Sequence, residues 1–450
     1  MPFTTGTAPG AVPGLGHIWP LMRGPIDFLT SLPEHGDLVA IRLGTTRVYV
    51  PCHPELLRQT LTDDRTFDKG GKYYDRARAM AGNGVATCAH KDHRRQRRML
   101  QPAFQHTQLE HYGAAMEEEI AAVTDSWGDT QVIDAYSSLY ALALRTVTRT
   151  LFAARVDEEV VEGVRHSFDV AFSGFFRQMF LPRGVLNLPL PANRRHQRAL
   201  RHLNDTVERV VADFRRDEHD ERDGREQADE RNLLSALLAA DPEDQEIHDQ
   251  VITVLAAGSE TVASTLTWAL YLLSQNPAQE LRLQQEVDTV LDGRPGGWSD
   301  IPRLPGVHRA VNETIRLYPP GWLFTRVTTC DVELAGTRLK AGTTVVITPV
   351  PVHRNTGIYR HASDFDPERW LPDRAASLPR GAFAGFGTGP RKCPGDDFGV
   401  GECVLALAAI VSRWHIRCEP DADTRPVPLA AFYRPRRLSL RLTRREARHA

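Results

Sequence analysis

Cys393 stands in the run Phe386-Gly387-Thr388-Gly389-Pro390-Arg391-Lys392-Cys393-Pro394-Gly395, and the residues around it suit a metal held through a thiolate. Three glycines let the backbone turn tightly and approach a flat ligand where a Cβ would clash. Free backbone N–H groups near the sulfur can hydrogen-bond a thiolate and tune the bound metal. Arg391 supplies a cation suited to a ligand carboxylate. The alternative for such a cysteine is a buried structural thiol in a Gly-rich turn.

Three further clusters could do chemistry. In Ala257-Gly258-Ser259-Glu260-Thr261, Gly258 weakens a helix by about 1 kcal/mol relative to Ala and opens its backbone to a ligand. The Thr261 hydroxyl can bond the Ala257 carbonyl four residues earlier and help bend or open the helix; the alternative is a packing glycine beside an ordinary Thr. Glu313 and Arg316, three apart, share one helical face, where an exposed pair contributes only about 0.2 to 0.5 kcal/mol. His93 and Arg97, four apart in the basic run from His90 to Met99, can address one anion together.

Periodicity indicates what positions these residues. Apolar residues recur at three and four over Leu109 to Trp127, Asp134 to Phe152, Ala199 to Phe214, Glu243 to Gln275, Pro277 to Leu291 and Gly401 to Arg413, as helices require. The Glu243–Gln275 helix, with the Ala257–Thr261 run in its middle, spans about 50 Å. Leu38 to Leu43, Arg47 to Val50, Val332 to Leu334 and Thr343 to Ile347 read as short strands. Ser363 to Gly395 reads as a long loop, uncommon in a compact domain unless it builds a site. Residues 1–24 read as an irregular lead. The 450-residue length alone suggests two or three units, but no boundary is visible and residues 1–450 are expected to form one domain.

Composition excludes several classes. Lys plus Arg number 55 against 57 Asp plus Glu, which argues against nucleic acid as the main partner. No apolar run approaches the roughly 20 residues that span a bilayer. The segment before Arg23 resembles neither a secretory signal nor an anchor, so a cytoplasmic protein without a membrane anchor is expected. The six cysteines form neither a disulfide framework nor a zinc ribbon, and Cys403 and Cys418 read as core.

At every characteristic position, Phe386 to Gly395 resembles the cysteine-ligand loop of the cytochromes P450. The resemblance covers about Pro25 to Leu442. It implies a mainly α fold with small β-sheets, a triangular prism holding haem b between the long central helix and the proximal cysteine loop. Cys393 is then the axial ligand of the haem iron, with Phe386, Gly387 and Gly395 shaping its loop. Glu313-Thr314-Ile315-Arg316 looks like the family's Glu-x-x-Arg helix, and Asp366-Pro367-Glu368-Arg369-Trp370 is similar to the segment that adds a second arginine. A buried Glu313, Arg316 and Arg369 network fastening the long loop is therefore implied. Ala257 to Thr261 is similar to the oxygen-activating segment, in which Glu260 and Thr261 serve proton delivery. His93, Arg97, Arg326 and Arg391 look like partners of the haem propionates. Arg94, Arg95 and Arg98 make either a solvated basic face or a docking patch for an acidic redox protein.

The implied reaction is insertion of one atom of O2 into a hydrophobic small molecule, with electrons drawn from NAD(P)H through a separate ferredoxin and ferredoxin reductase. Pocket residues are expected at Phe172 and Phe176, within an aromatic cluster reaching Phe180, at Leu255 and Ala256, at Trp322, Leu323 and Phe324, and at Phe432. Nearly all are apolar, which favours a substrate with few charged handles. Glu313 to Trp322 looks more like the bacterial terpene and fatty-acid hydroxylases than like the camphor type, and a cyclic terpene, a sesquiterpene of secondary metabolism, is the preferred substrate. The alternatives are a fatty-acid or polyketide hydroxylase, a peroxide-using or isomerising haem-thiolate enzyme, and a non-catalytic haem sensor or carrier.

Overall fold

The long apolar pattern in the middle of the chain folds as one helix, Asp244–Gln275, in a computed structural model. The structure describes residues 2–446 except 176–178, Phe180, Pro182, Asn187, 223–231 and Leu429, so Phe176 and Phe180 lie outside the described residues. From Ile247 to Leu273 this helix is buried on most of its circumference, which explains why its sequence lacks a polar stripe. It packs along Ala135–Leu151, and a Cβ built on Gly258 would lie 2.6 Å from Val147 Cγ2. The glycine therefore lets two helices approach closely. The missing side chain makes room for Val147, while the Gly258 backbone still borders the cavity.

Beneath the central helix lie Pro305–Leu317 and Asp396–Arg413, the helix that follows the cysteine loop. The latter starts at Asp396 rather than at Gly401. Asp396 and Asp397 favour an N-terminal turn through the helix dipole, and the Trp298 ring fills the space that a Gly401 side chain would need. Periodicity alone stops at Gly399 and Gly401 because neither carries a side chain to read.

A six-stranded sheet flanks the helices in the order Thr5–Thr7, Leu38–Leu43, Thr46–Pro51, Thr344–Ile347, Phe324–Thr328 and Phe67–Asp68. Its register sets Arg326 opposite Val345, and Phe67 opposite Thr328. The lead of the chain is thus not irregular. Thr5–Thr7 pairs in parallel with Leu38–Ala40, and Ile18–Arg23 forms a helix. A three-residue edge strand is too short to show alternation, and only pairing stabilises it. Helices also form at Pro54–Thr62, Gly71–Ala81 and Glu158–Ser173, the last burying Val161, Val164, Phe168, Ala171 and Phe172 at helical spacing. The stretch from Ser363 to Gly395 contains only single turns, at Pro367–Trp370, Pro372–Ala376 and Gly389–Arg391.

What fixes that stretch is a buried charge cluster. Arg316 donates from Nε to Glu313 Oε2 at 2.8 Å and from Nη2 to Oε1 at 2.7 Å, with both side chains wholly buried. Arg369 Nε reaches Glu313 Oε1 at 3.1 Å and Trp370 Nε1 reaches Oε2 at 3.1 Å. Arg316 also donates to the carbonyls of His353, Ala362 and Asp364. With a charge that is paired and hydrogen-bonded on all sides, desolvation is offset, which isolated surface pairs never achieve.

Candidate active site

A cavity of about 440 Å³ lies between the central helix and the cysteine loop. Its floor is built by the loop. Gly387 has φ 70°, a left-handed turn that favours glycine, and Cys393 N–H returns to the Phe386 carbonyl at 3.0 Å. Phe386, Gly387, Cys393 and Gly395 all line the cavity, and a Gly395 side chain would press on Phe104 at 3.1 Å. Burial pushes the Cys393 thiol up to about 11, opposed by the Gly395 N–H, so the sulfur must lose a proton when it binds a metal.

On the opposite wall, Val254, Ala257, Gly258, Thr261 and Thr265 form a stripe at helical spacing. Thr261 Oγ1 donates to the Ala257 carbonyl at 2.7 Å, which leaves its lone pairs facing the cavity. Glu260 does not line the cavity. Its carboxylate accepts from the Tyr136 hydroxyl at 2.6 Å behind the helix, in a site where Arg434 stacks over the Tyr136 ring at 4.5 Å. Burial pushes the Glu260 carboxyl up to about 7, although Arg434 and the Tyr136 hydrogen bond work against the rise.

One rim of the cavity carries cations from four separate elements: Lys69, Arg97, Arg326 and Arg391, with His93 among them. Arg391 is held by Asp64 at 2.8 Å and Asp68 at 3.1 Å, and it also donates to the Cys88 carbonyl, so its charge is largely answered within the protein. Burial holds His93 down to about 3, as a neutral N–H donor. Arg326 is buried and donates to the Tyr74 hydroxyl at 2.8 Å. Lys69, also buried, donates to the Ala86 carbonyl at 2.7 Å, and burial followed by Arg326 holds its pKa well below the ordinary range. Among the described residues no carboxylate pairs with Lys69, Arg97 or Arg326. Burying a charge alone, as at Arg326, costs several kcal/mol, and a ligand bearing two carboxylates at this rim offsets it. The residues present therefore fit a flat, dianionic macrocycle above the Cys393 sulfur. Lys69 and Tyr74 carry no sequence motif; only their burial beside Arg326 reveals them.

The outer part of the cavity is apolar. Phe172, Ala256, Leu323, Phe324 and Phe432 line it, with Phe172 and Phe432 in an edge-to-face pair at 4.9 Å. Two expected pocket residues face elsewhere. Leu255 points into the core, and Trp322 donates its indole N–H to the Ala430 carbonyl at 3.1 Å. Leu255 sits between the lining residues Val254 and Ala256, and Trp322 lies in irregular chain before the strand Phe324–Thr328, held by that bond to Ala430. Arg95 is spent on Glu246, through two bonds of 2.7 Å, while Arg94 and Arg98 stay exposed. Cys403 is buried as core, whereas Cys418 is only half-buried at a strand end.

The family model "Cytochrome P450" matches residues 10–439. The chain is 56% identical over 449 residues, 98% of each chain, to pentalenene oxygenase of Streptomyces avermitilis. It is 44% identical to cyclooctatin synthase of Streptomyces melanosporofaciens over 94% of this chain and 92% of the other. Cyclooctat-9-en-7-ol 5-monooxygenase of the same organism is 42% identical over 93% and 91%. No described helix is long and apolar enough to cross a membrane. A thiol facing an apolar cavity, a rim of unanswered cations and these matches agree: the chain belongs to the cytochrome P450 family and is a haem-dependent monooxygenase that works with redox partners.

Proposed function

We propose that this monooxygenase hydroxylates a cyclic terpene hydrocarbon, a sesquiterpene of the pentalenene kind, in secondary metabolism. The supporting observation is the outer cavity, apolar on almost every side and walled by Phe172, Leu323 and Phe432, where a hydrocarbon loses nothing by leaving water. The relatives above whose names state terpene substrates favour the same class. A fatty acid needs a cation for its carboxylate, and the cations here sit at the cofactor rim instead.

In this reading Cys393 would hold the haem through its sulfur, and His93, Arg97, Arg326 and Arg391, joined by Lys69 and Tyr74, would hold its carboxylates. When bound, thiolate-ligated haem supplies the oxidising power for oxygen insertion. The protein positions substrate and protons. Thr261, with its donor spent on Ala257, accepts a hydrogen bond in the cavity and so holds a water there. Glu260 stores a proton near neutral pH and releases it toward the cavity by leaving Tyr136. Glu313, Arg316 and Arg369 hold the cysteine loop in place. Electrons come from NAD(P)H through a ferredoxin and its reductase, with Lys91, Arg94 and Arg98 as the exposed cations of the docking face. The protein works in the cytoplasm.

The test is product analysis by mass spectrometry after reconstitution with a ferredoxin, its reductase and NADPH on a panel of terpenes, fatty acids and macrolactones. Conversion of a cyclic sesquiterpene is expected. Conversion of long-chain acids or macrocycles alone overturns the substrate class, and turnover with peroxide but never with NADPH overturns the electron route.

A further inference from the structure

Between the helices Gly71–Ala81 and His90–Leu100, the segment Gly82–Cys88 forms one wall of the cavity, with Val85, Ala86 and Thr87 lining it. Connecting segments of this kind are ordinarily hydrated and open easily. This one is different because side chains from other elements satisfy its backbone.

The central helix holds it from one side. Asp249 Oδ2 accepts the Asn83 N–H at 2.8 Å, and Gln250 Oε1 accepts the Val85 N–H at 3.0 Å. Thr253 Oγ1 donates to the Ala81 carbonyl at 3.0 Å. Gly82 turns with φ 70°, and a side chain there would lie 2.3 Å from Asp249 Oδ1. A side chain on Gly84 would lie 2.3 Å from Thr253 Oγ1. Both glycines thus let the backbone rest directly on the helix. From the other side, Gln96 Nε2 donates to the Asn83 carbonyl, Lys69 Nζ to Ala86 and Val85, and Arg78 Nε to Thr87, while Gly84 accepts from Thr87 and Cys88 N–H. Every carbonyl from Asn83 to Thr87 has a donor.

We propose that Asp249 and Gln250 are positioning residues that lock Gly82–Thr87 before any substrate arrives, so that Val85 and its neighbours form a preformed wall that discriminates ligands by size. Discrimination needs a wall that does not yield: a bulky ligand must then displace five or more hydrogen bonds, whereas a compact one displaces none. Lys69 ties the wall to the cation rim, because its Nζ, which lines the same cavity as Arg326, donates to the Ala86 carbonyl. The inference rests on the cavity beside Cys393 being the substrate site and is indifferent to which hydrocarbon fills it.

Hydrogen exchange of the ligand-free, haem-loaded ferric enzyme tests the lock. The Asn83 and Val85 amides are expected to exchange as slowly as those of the Asp244–Gln275 helix, and adding 4-phenylimidazole should not slow them further. In Gln250→Leu and Asp249→Ala the same amides should exchange about fivefold faster or more, the factor for losing one ordinary hydrogen bond, with Asp249→Asn nearer to wild type. The second arm titrates 4-phenylimidazole and the bulkier clotrimazole by haem absorbance. The wild-type affinity ratio favouring the compact azole should shrink at least about fivefold in Gln250→Leu, at equal haem content and melting temperature. Fast wild-type exchange that slows only with ligand overturns the proposal, as does an unchanged azole ratio in a variant whose segment has loosened. Should Asp249→Ala not fold, the wild-type and Gln250→Leu measurements still decide. Neither arm uses a terpene, so a wrong substrate class leaves both readings intact.

Discussion

Glu260 offers a quantitative test of how the central helix is wired. Its carboxyl, buried behind the helix against Tyr136, is pushed from an ordinary 4.5 up to about 7. A carboxyl held that far above its ordinary value favours the neutral acid in the folded protein by about 3 kcal/mol. Because the folded value lies above the unfolded one, the neutral acid is what the fold favours. That stability is fully present below about pH 4.5 and is lost as pH rises through about 7. Glu260→Gln keeps the shape and removes the titration. Infrared difference spectroscopy of the haem-loaded protein should show a protonated-carboxyl C=O band that disappears with a midpoint near pH 7 and is missing in Glu260→Gln. Between pH 5 and pH 8 the wild type should lose up to about 3 kcal/mol more stability than the variant. Tyr136→Phe removes a hydrogen bond that favours the ionised form and should move the midpoint upward, as should Arg434→Met. A midpoint near 4.5, or one that falls in Tyr136→Phe, would mean that burial behind the helix does not hold Glu260 neutral.

Other consequences follow from packing and charge. Gly258→Ala drives a methyl against Val147 and should destabilise by about 1 to 3 kcal/mol despite the better helix propensity, and Val147→Ala should recover most of that loss in the double variant. Glu313→Gln leaves Arg316 and Arg369 without their counter-charge and should cost about 3 to 5 kcal/mol in denaturant unfolding, with poor haem incorporation as its outward sign. Lys69→Met should speed haem transfer to apomyoglobin by about tenfold or more, the effect of one hydrogen bond to a charged group, while Arg94→Ala should leave that rate unchanged.

The parts of the site that the sequence discloses are those written in one stretch. Cys393 and its glycines lie within ten residues, and Glu313 and Arg316 are three apart, so local spacing is enough. Orientation is what local spacing leaves open, and it removes Leu255 and Trp322 from the cavity lining. The stretch Val254 to Val262 does not show which of its side chains face the cavity: Val254, Ala256, Ala257, Thr261 and Val262 line it, whereas Leu255 packs into the core and the Glu260 carboxylate meets Tyr136. Gly258 was ambiguous because a missing side chain does not say which neighbour needs the room; Val147 is more than a hundred residues away in sequence. Lys69 and Tyr74 were invisible for the same reason, being brought to Arg326 only by the pairing of Phe67–Asp68 with Phe324–Thr328. The short N-terminal strand exists only through its partner Leu38–Leu43.

A bond between the Cys393 sulfur and haem iron underlies the whole site. The reduced, carbon monoxide-bound protein should show the strongly red-shifted Soret band of thiolate ligation, and Cys393→His should lose it while retaining the fold by circular dichroism. A folded, haem-loaded wild type whose spectrum is that of nitrogen ligation, or a Cys393→His variant that keeps the red-shifted band, contradicts the account.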